Sequence, residues 1–158
     1  MPLNDVYDKP GHLIRRCQQI AVALFLEHCA PFDLTPMQYA MLRAVEAEPE
    51  LDQISLAGLV AVDRSNAARL CAALAERGLI RRVPDPQDRR ARRLSLTAEG
   101  HSLLRRAEPA VRRVQDDLLA PLSATQRGAF MQALRTITEA HNEASRAPLR
   151  RGDTQEAA

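Results

Sequence analysis

Four arginines, Arg89, Arg90, Arg92 and Arg93, fall within five consecutive positions, directly after a stretch that holds Pro84, Asp85, Pro86 and Asp88. A guanidinium is a planar fork suited to bidentate contact with phosphate or guanine, and a neighbouring carboxylate can orient it through a charge-assisted pair. The surrounding charge is uneven. Residues 1–63 hold four basic and nine acidic side chains, residues 64–113 thirteen and five, and residues 114–158 five and six. A basic block between acidic flanks, on a chain with a net charge of only +2, is the asymmetry of an anion-binding surface on a neutral scaffold. Every basic residue except Lys9 is arginine, a bias that GC-rich coding also produces, so position must decide what count cannot.

Other chemistry has less to stand on. His12, His28, His101 and His141 are scattered, with no i, i+4 pair and no close acidic or cysteine partner, so neither a metal site nor a hydrolytic triad is read. No glycine-rich phosphate loop is present. Catalysis is the least supported class, and no cofactor or metal is expected. Cys17, Cys29 and Cys71 are an odd number without a CxxC pair, which implies no disulfide framework and suits a reducing compartment. No stretch approaches the apolar length of a membrane span, and the N-terminus lacks the pattern of a signal peptide; a cytoplasmic location is expected. Aromatic residues are 3% of the chain, too few for the stacking platforms of single-strand binders.

These groups need elements to position them. Gly11 to His28 carries Leu13, Cys17, Ile20 and Leu24, widened by Ile14, Ala21 and Phe25, which is helical spacing. Thr35-Pro36-Met37-Gln38 reads as a capping box opening a helix to about Ala47, with Met37, Met41, Ala44 and Val45 inward. ISLAGLVAV is a short apolar helix with Leu56, Leu59 and Val60 on one side. Asp63 then caps RSNAARLCAALAERG, whose inward stripe is Ala67, Leu70, Cys71 and Leu74 and whose stop is Gly78. The opposite face holds Ser65, Arg69, Ala72 and Glu76, with Asn66 beside it. Two short helices, the second with a polar N-terminal half, form a helix-turn-helix pattern; an ordinary amphipathic surface helix would look the same from this segment alone.

The next elements favour the first reading. Residues 79–83 and 92–96 are strand candidates, the second alternating Arg93 and Ser95 outward with Leu94 and Leu96 inward. The loop between them makes a hairpin beside the polar helix, and the pair reads as a winged helix whose hairpin can place an arginine in a minor groove. Thr97 and Glu99 open a long helix with Leu103, Leu104, Ala107, Val111, Val114 and Leu118 on one face. Ser123 to Gln126 is a second capping box, followed by Phe130, Leu134, Ile137 and His141 on one face. The fold class is therefore mainly α with a small β-hairpin wing: a winged helix-turn-helix over 33–120, including the connecting long helix, flanked by helical segments over 7–31 and 121–146. The remainder, 147–158, lacks periodicity and is expected to be a disordered tail.

The ordered set LTPMQYAMLRAV, VDRSNAARLCAALAERGLI and PDPQDRRARRLSLTAEG resembles the MarR (multiple antibiotic resistance regulator) family of bacterial winged-helix transcription factors, from about Gly11 to His141. The most specific piece is the wing string, with Asp88-Arg89-Arg90 followed by Leu96-Thr97-Ala98-Glu99-Gly100. The resemblance implies a homodimer, joined by a helical dimerisation region from 7–31 and 121–146 with part of the long helix, on double-stranded DNA at a palindromic operator whose half-sites lie roughly 10 bp apart. By position it implies DNA contacts from Arg64, Ser65, Asn66 and Arg69, a groove contact from Arg90, and Asp88 as the carboxylate that orients the wing arginines. Arg89, Arg92 and Arg93 are expected to touch phosphate or to be solvated strand residues. Ala68 stands where family members commonly have Ser or Thr, so a hydroxyl contact there is lost. The wide apolar stripes of the terminal helices support a dimer independently.

The first segments also look like the branch of the family that controls aromatic-compound catabolism, which implies a repressor released by an aromatic acid or its CoA thioester. The expected ligand residues are His12, Arg15, Arg16 and Tyr39, between the dimer helices and the winged domain; a solvated helix face is the competing reading for at least one arginine. Two alternatives stand beside this one. Cys17 falls where the peroxide-sensing branch places its reactive thiol, although it also sits on the apolar stripe as a packing residue would. A winged domain can also serve protein interaction without DNA. Cys29 is expected near an exposed helix end and Cys71 in the core.

Overall fold

Five helices begin where a side-chain oxygen takes over backbone donors of the first turn, and these caps divide the chain. The computed structural model describes residues 4–85 and 92–151. Its elements are α1 (Asn4–Tyr7), α2 (Pro10–His28), a 3-10 turn at Ala30–Phe32, α3 (Pro36–Ala47), α4 (Gln53–Leu59), α5 (Arg64–Glu76), β1 (Ile80–Pro84), β2 (Arg92–Leu96), α6 (Ala98–Leu119), α7 (Ala124–Ala140) and a 3-10 turn at Asn142–Ala144. Thr35 and Gln38 form a reciprocal capping box on α3, and Ser123 and Gln126 form one on α7. Asp63 caps α5 and Thr97 caps α6, as their positions predict. Asp52 caps α4 by accepting from the N–H groups of Ile54 at 2.7 Å and Ser55 at 2.9 Å; the sequence reading had no cap there.

The core is closed by α3, α4, α5, β2 and α6. Met41, Leu42, Leu56, Leu74, Leu94 and Leu104 are fully buried, each contributing about 1.5–3 kcal/mol by leaving water. Leu42 joins Met41 and Val45 on the buried side of α3, while Met37 and Ala44, expected inside, are half-buried at its edge. In α4 the buried pair is Leu56 and Ala57, with Leu59 and Val60 only partly covered. Pro109, which lacks the N–H to bond one turn back, lies inside α6, and the chain is helical on both sides of it.

The hairpin is antiparallel, with Ile80 opposite Leu96 and Pro84 opposite Arg92. Residues 50–52 extend it as a short edge: the Glu50 N–H donates to the Leu94 carbonyl at 2.9 Å, and the Leu94 N–H donates to the Leu51 carbonyl at 3.0 Å. The Leu-Thr-x-x-Gly string is the joint between hairpin and helix. Thr97 Oγ1 donates to the Gly78 carbonyl at 2.6 Å and accepts from the Gly100 N–H at 3.0 Å. Gly100 is buried so closely against the residue before β1 that a Cβ there would lie 2.2 Å from the Leu79 carbonyl oxygen. Gly78 ends α5 in the left-handed region, at φ +70°, where an L side chain is disfavoured.

Two expectations need correction. Cys29 is buried at 1% exposure because the C-terminus of α2 ends over α3, in the cluster that holds Phe25 and Leu34. The apolar stripe of α2 is wider than one chain covers: only Phe25 is buried, while Leu13 and Ile14 are each 50% exposed and Ile20 44%, since α6 covers one side of the helix only. Residues 147–151, expected to be disordered, lie against α4, where the Arg150 N–H donates to the Gly58 carbonyl at 2.9 Å. Residues 152–158 lie outside the described residues.

Candidate nucleic-acid interface

The polar face of α5 is organised from its cap. Asp63 accepts from the Asn66 N–H at 3.0 Å through Oδ1 and from Asn66 Nδ2 at 2.8 Å through Oδ2. Asn66 Oδ1 in turn accepts from the Arg69 guanidinium at 3.2 Å. The bonds from Asn66, first from its backbone and then from its side chain, hold the Asp63 carboxyl below the usual carboxylate range. One carboxylate therefore sets the helix start and, through Asn66, the direction of Arg69. Arg64, Ser65, Asn66 and Arg69 are all exposed, and the buried side of the same helix is Ala67, Cys71 and Leu74. The four side chains occupy the solvent side of one helical segment.

On the wing, Asp88, Arg89 and Arg90 lie outside the described residues. Arg92 begins β2, paired across the ladder with Pro84. Arg93 differs from the expectation of a phosphate contact or a solvated strand residue. Its Nε donates to Asp85 at 2.8 Å, with a second, longer bond to the same carboxylate at 3.4 Å, and it reaches Glu50 at 3.3 Å. The Asp85 hydrogen bond and charge raise its pKa above the usual arginine value. Arg93 staples the wing base to the loop before α4, and a guanidinium held by two carboxylates has little left for phosphate. Asp85 thus makes an arginine–carboxylate pair at the wing base, while the pairing expected of Asp88 falls outside the described residues. Arg81 and Arg82 on β1 are exposed, and Arg82 donates to Gln53 at 3.1 Å; strand spacing alone assigns neither a role.

The expected effector residues divide into two places. His12 Nδ1 lies 3.4 Å from the Arg15 guanidinium, with the Tyr7 ring edge-on to His12 at 5.4 Å between centroids. Arg16 donates to Gln19 at 2.9 Å on the exposed helix surface. Tyr39 packs on Phe25, at 6.0 Å between ring centroids, and Phe25 is thirteen residues beyond His12, about 20 Å along α2 at the helical rise. Within one chain His12 and Arg15 are neighbours and Tyr39 is remote from both. The Tyr39 hydroxyl donates to Glu108 at 2.8 Å. Burial, the hydrogen bond and the Glu108 charge push its pKa up to about 12. The bonds from Tyr39 and then Arg112 hold the Glu108 carboxyl low.

Cys17 is exposed, whereas Cys29 and Cys71 are buried and their thiols are pushed up by that burial. Among the described residues, no group of three or more His, Cys, Asp or Glu side chains is placed to hold a metal, and no helix is long and apolar enough to cross a membrane.

Comparison with known proteins places this geometry in a family. The MarR family model matches residues 32–91, the span from the turn before α3 into the wing. The chain is 36% identical to the transcriptional regulator HosA of Escherichia coli O111:H- over 133 residues, which are 84% of this chain and 97% of that protein. Among solved structures, it is similar to the PcaV transcriptional regulator of Streptomyces coelicolor in complex with its natural ligand, at 38% identity and a TM-score of 0.79, covering 89% of this chain and 99% of that one. The transcriptional repressor CouR bound to a 23-mer DNA duplex is 32% identical with a TM-score of 0.81, covering 87% and 98%. BpsR of Bordetella bronchiseptica, whose DNA binding is regulated by 6-hydroxynicotinic acid, is 26% identical with a TM-score of 0.80, covering 84% and 95%. With a winged helix-turn-helix, an exposed Arg-Ser-Asn face on its second helix and relatives matched along nearly their whole length, the chain belongs to the MarR family and is a DNA-binding transcriptional regulator rather than an enzyme.

Proposed function

We propose that the protein is a homodimeric repressor that occupies a palindromic operator and leaves it when a small anionic aromatic, an acid or its CoA thioester, binds. The observation that carries the DNA half is the α5 face: Arg64, Ser65, Asn66 and Arg69 are exposed together, and Asp63 holds Asn66 against Arg69. Preorganised side chains lose less freedom on binding. Arg90 is the groove contact on the wing and Asp88 its partner, with Arg89 and Arg92 on phosphate. CouR, a repressor solved on DNA, supports the direction of regulation.

The dimer follows from what one chain leaves uncovered. Leu13, Ile14 and Ile20 on α2 and Met131 and Ile137 on α7 are exposed, and α7 has no buried residue. A second copy of the same faces covers them and sets the spacing of the two α5 helices. A ligand that favours one spacing shifts that equilibrium and releases DNA.

For the ligand, His12 and Arg15 are the anion-binding pair, because they adjoin one another and an aromatic ring. Arg16, the third expected residue of this helix, lies on the same exposed surface. Tyr39 presents its ring, since its hydroxyl is engaged in donating to Glu108, whose charge repels a carboxylate there. BpsR, regulated by a heteroaromatic acid, supports this ligand class. The test is a gel shift on the DNA upstream of the protein's own gene, with aromatic acids, their CoA thioesters and peroxide added in turn. Release by an aromatic acid or thioester, weakened in Arg15→Ala, is expected. Release by peroxide alone, abolished in Cys17→Ser, would replace the ligand reading with a thiol sensor.

A further inference from the structure

The stretch Arg146–Arg151 carries three arginines and no helical periodicity, yet it has a defined seat on the winged domain. Asn142 closes it into a loop, donating from Nδ2 to the Leu149 carbonyl at 3.0 Å and accepting from the Leu149 N–H at 2.8 Å. Arg150 anchors the loop on α4 through its N–H bond to the Gly58 carbonyl, and its guanidinium pairs with both oxygens of Glu143. Gly58 is the notch that admits it: a Cβ at that position would lie 2.9 Å from the Arg150 Cβ, a distance at which one of the two must move.

The seat brings Arg146 to the start of the recognition helix. Its guanidinium lies 3.9 Å from Asp63, the cap of α5, and its side chain is 88% exposed. An exposed pair at that distance is weak and screened, so Arg146 is open to a stronger anion. The segment borders the α5 face without covering it, because Arg64, Ser65, Asn66 and Arg69 stay exposed with the segment in place. In helix-turn-helix docking the first helix of the pair crosses the DNA backbone while the second enters the groove. A cationic strand laid on α4 and ending beside the α5 cap therefore runs along the phosphates.

We propose that residues 146–151 form an arm that binds the DNA backbone beside the recognition helix, with Arg146 as its phosphate contact and Gly58 as its docking notch. The inference rests on α5 being the recognition helix. Phosphate contacts are counted by salt dependence, each one contributing about 0.9 to the slope of log K against log salt. Binding to the upstream DNA is measured by fluorescence anisotropy across a salt series for the full-length protein and for Arg146→Gln, Arg146→Lys and Gly58→Ala.

Arg146→Gln and Gly58→Ala are expected to bind about three- to tenfold more weakly at low salt, with the slope shallower by about 0.9 per protomer. Arg146→Lys restores the slope, and none of the three changes the preference for upstream over shuffled DNA. Thermal melts identify any loss of affinity that comes from unfolding: Gly58→Ala replaces a helical glycine and should melt no lower than the parent. Unchanged slopes in both Arg146→Gln and Gly58→Ala overturn the arm, and tighter binding in either overturns it in favour of an autoinhibitory segment. If Arg69→Ala and the parent protein also show no salt dependence, the failure lies with the recognition helix instead.

Discussion

Two single residues, Gly100 and Tyr39, each hold a joint between distant elements. Gly100 lies where a side chain would meet the Leu79 carbonyl at 2.2 Å, and backbone cannot retreat from the base of a paired hairpin. Gly100→Ala is therefore expected to cost about 3 kcal/mol or more, by overpacking the joint, measured as a lower midpoint in urea with an unchanged slope. A loss below about 1 kcal/mol would mean that the joint relaxes. Tyr39 ties α3 to α6 through Glu108. Its pKa is raised from 10.0 to about 12, so the stability from keeping its proton is intact below pH 10 and lost as pH rises toward 12. Glu108 has the opposite sign: its pKa is lowered from 4.5, so its contribution is present above that value and lost as pH falls through the lowered one. In ultraviolet absorbance, the tyrosinate signal removed by Tyr39→Phe is expected to titrate near pH 12; a midpoint near 10 would show that the pair with Glu108 does not form.

At the scale of elements, caps and glycines were legible because their chemistry is local. Thr35 with Gln38, Ser123 with Gln126, Asp63, Thr97 and Gly78 each act within a few positions of themselves. What the sequence hid depends on distant chain. Cys29 is buried only because α2 ends over α3. Arg93 looks like any other arginine of the wing until folding brings Glu50 across from it. The seat of residues 146–151 needs Gly58, nearly ninety positions earlier, and a short stretch without periodicity gives no hint of it. The α5 site lies between these cases. Its exposed face follows from helical spacing, but the chain of bonds from Asp63 through Asn66 to Arg69 is a matter of rotamers. Asp63→Ala is expected to lower the melting temperature by uncapping α5. It should also weaken DNA binding beyond what Asn66→Ala does alone, because cap and relay are lost together. Equal binding losses in the two variants would mean that Asp63 acts only through Asn66.

At the scale of the whole molecule, one chain accounts for the winged domain and not for its terminal helices. The six largest buried aliphatic side chains come from α3, α4, α5, β2 and α6, whereas α2 contributes one buried residue and α7 none. Leu13→Asp places a charge on the uncovered stripe and is expected to yield monomer in sedimentation at micromolar concentration, with operator binding lost at the same time. A variant that stays dimeric and binds normally would move the subunit interface elsewhere.

The α5 face and the wing are proposed to read a DNA sequence. Sequence-specific binding is tested most directly by competition binding of the full-length protein to its own upstream DNA and to a shuffled duplex of equal length, over a range of salt. Affinity for both should fall steeply as salt rises, with the upstream sequence preferred by about a thousandfold or more throughout; equal affinity for the two duplexes, or a flat response to salt, would contradict it.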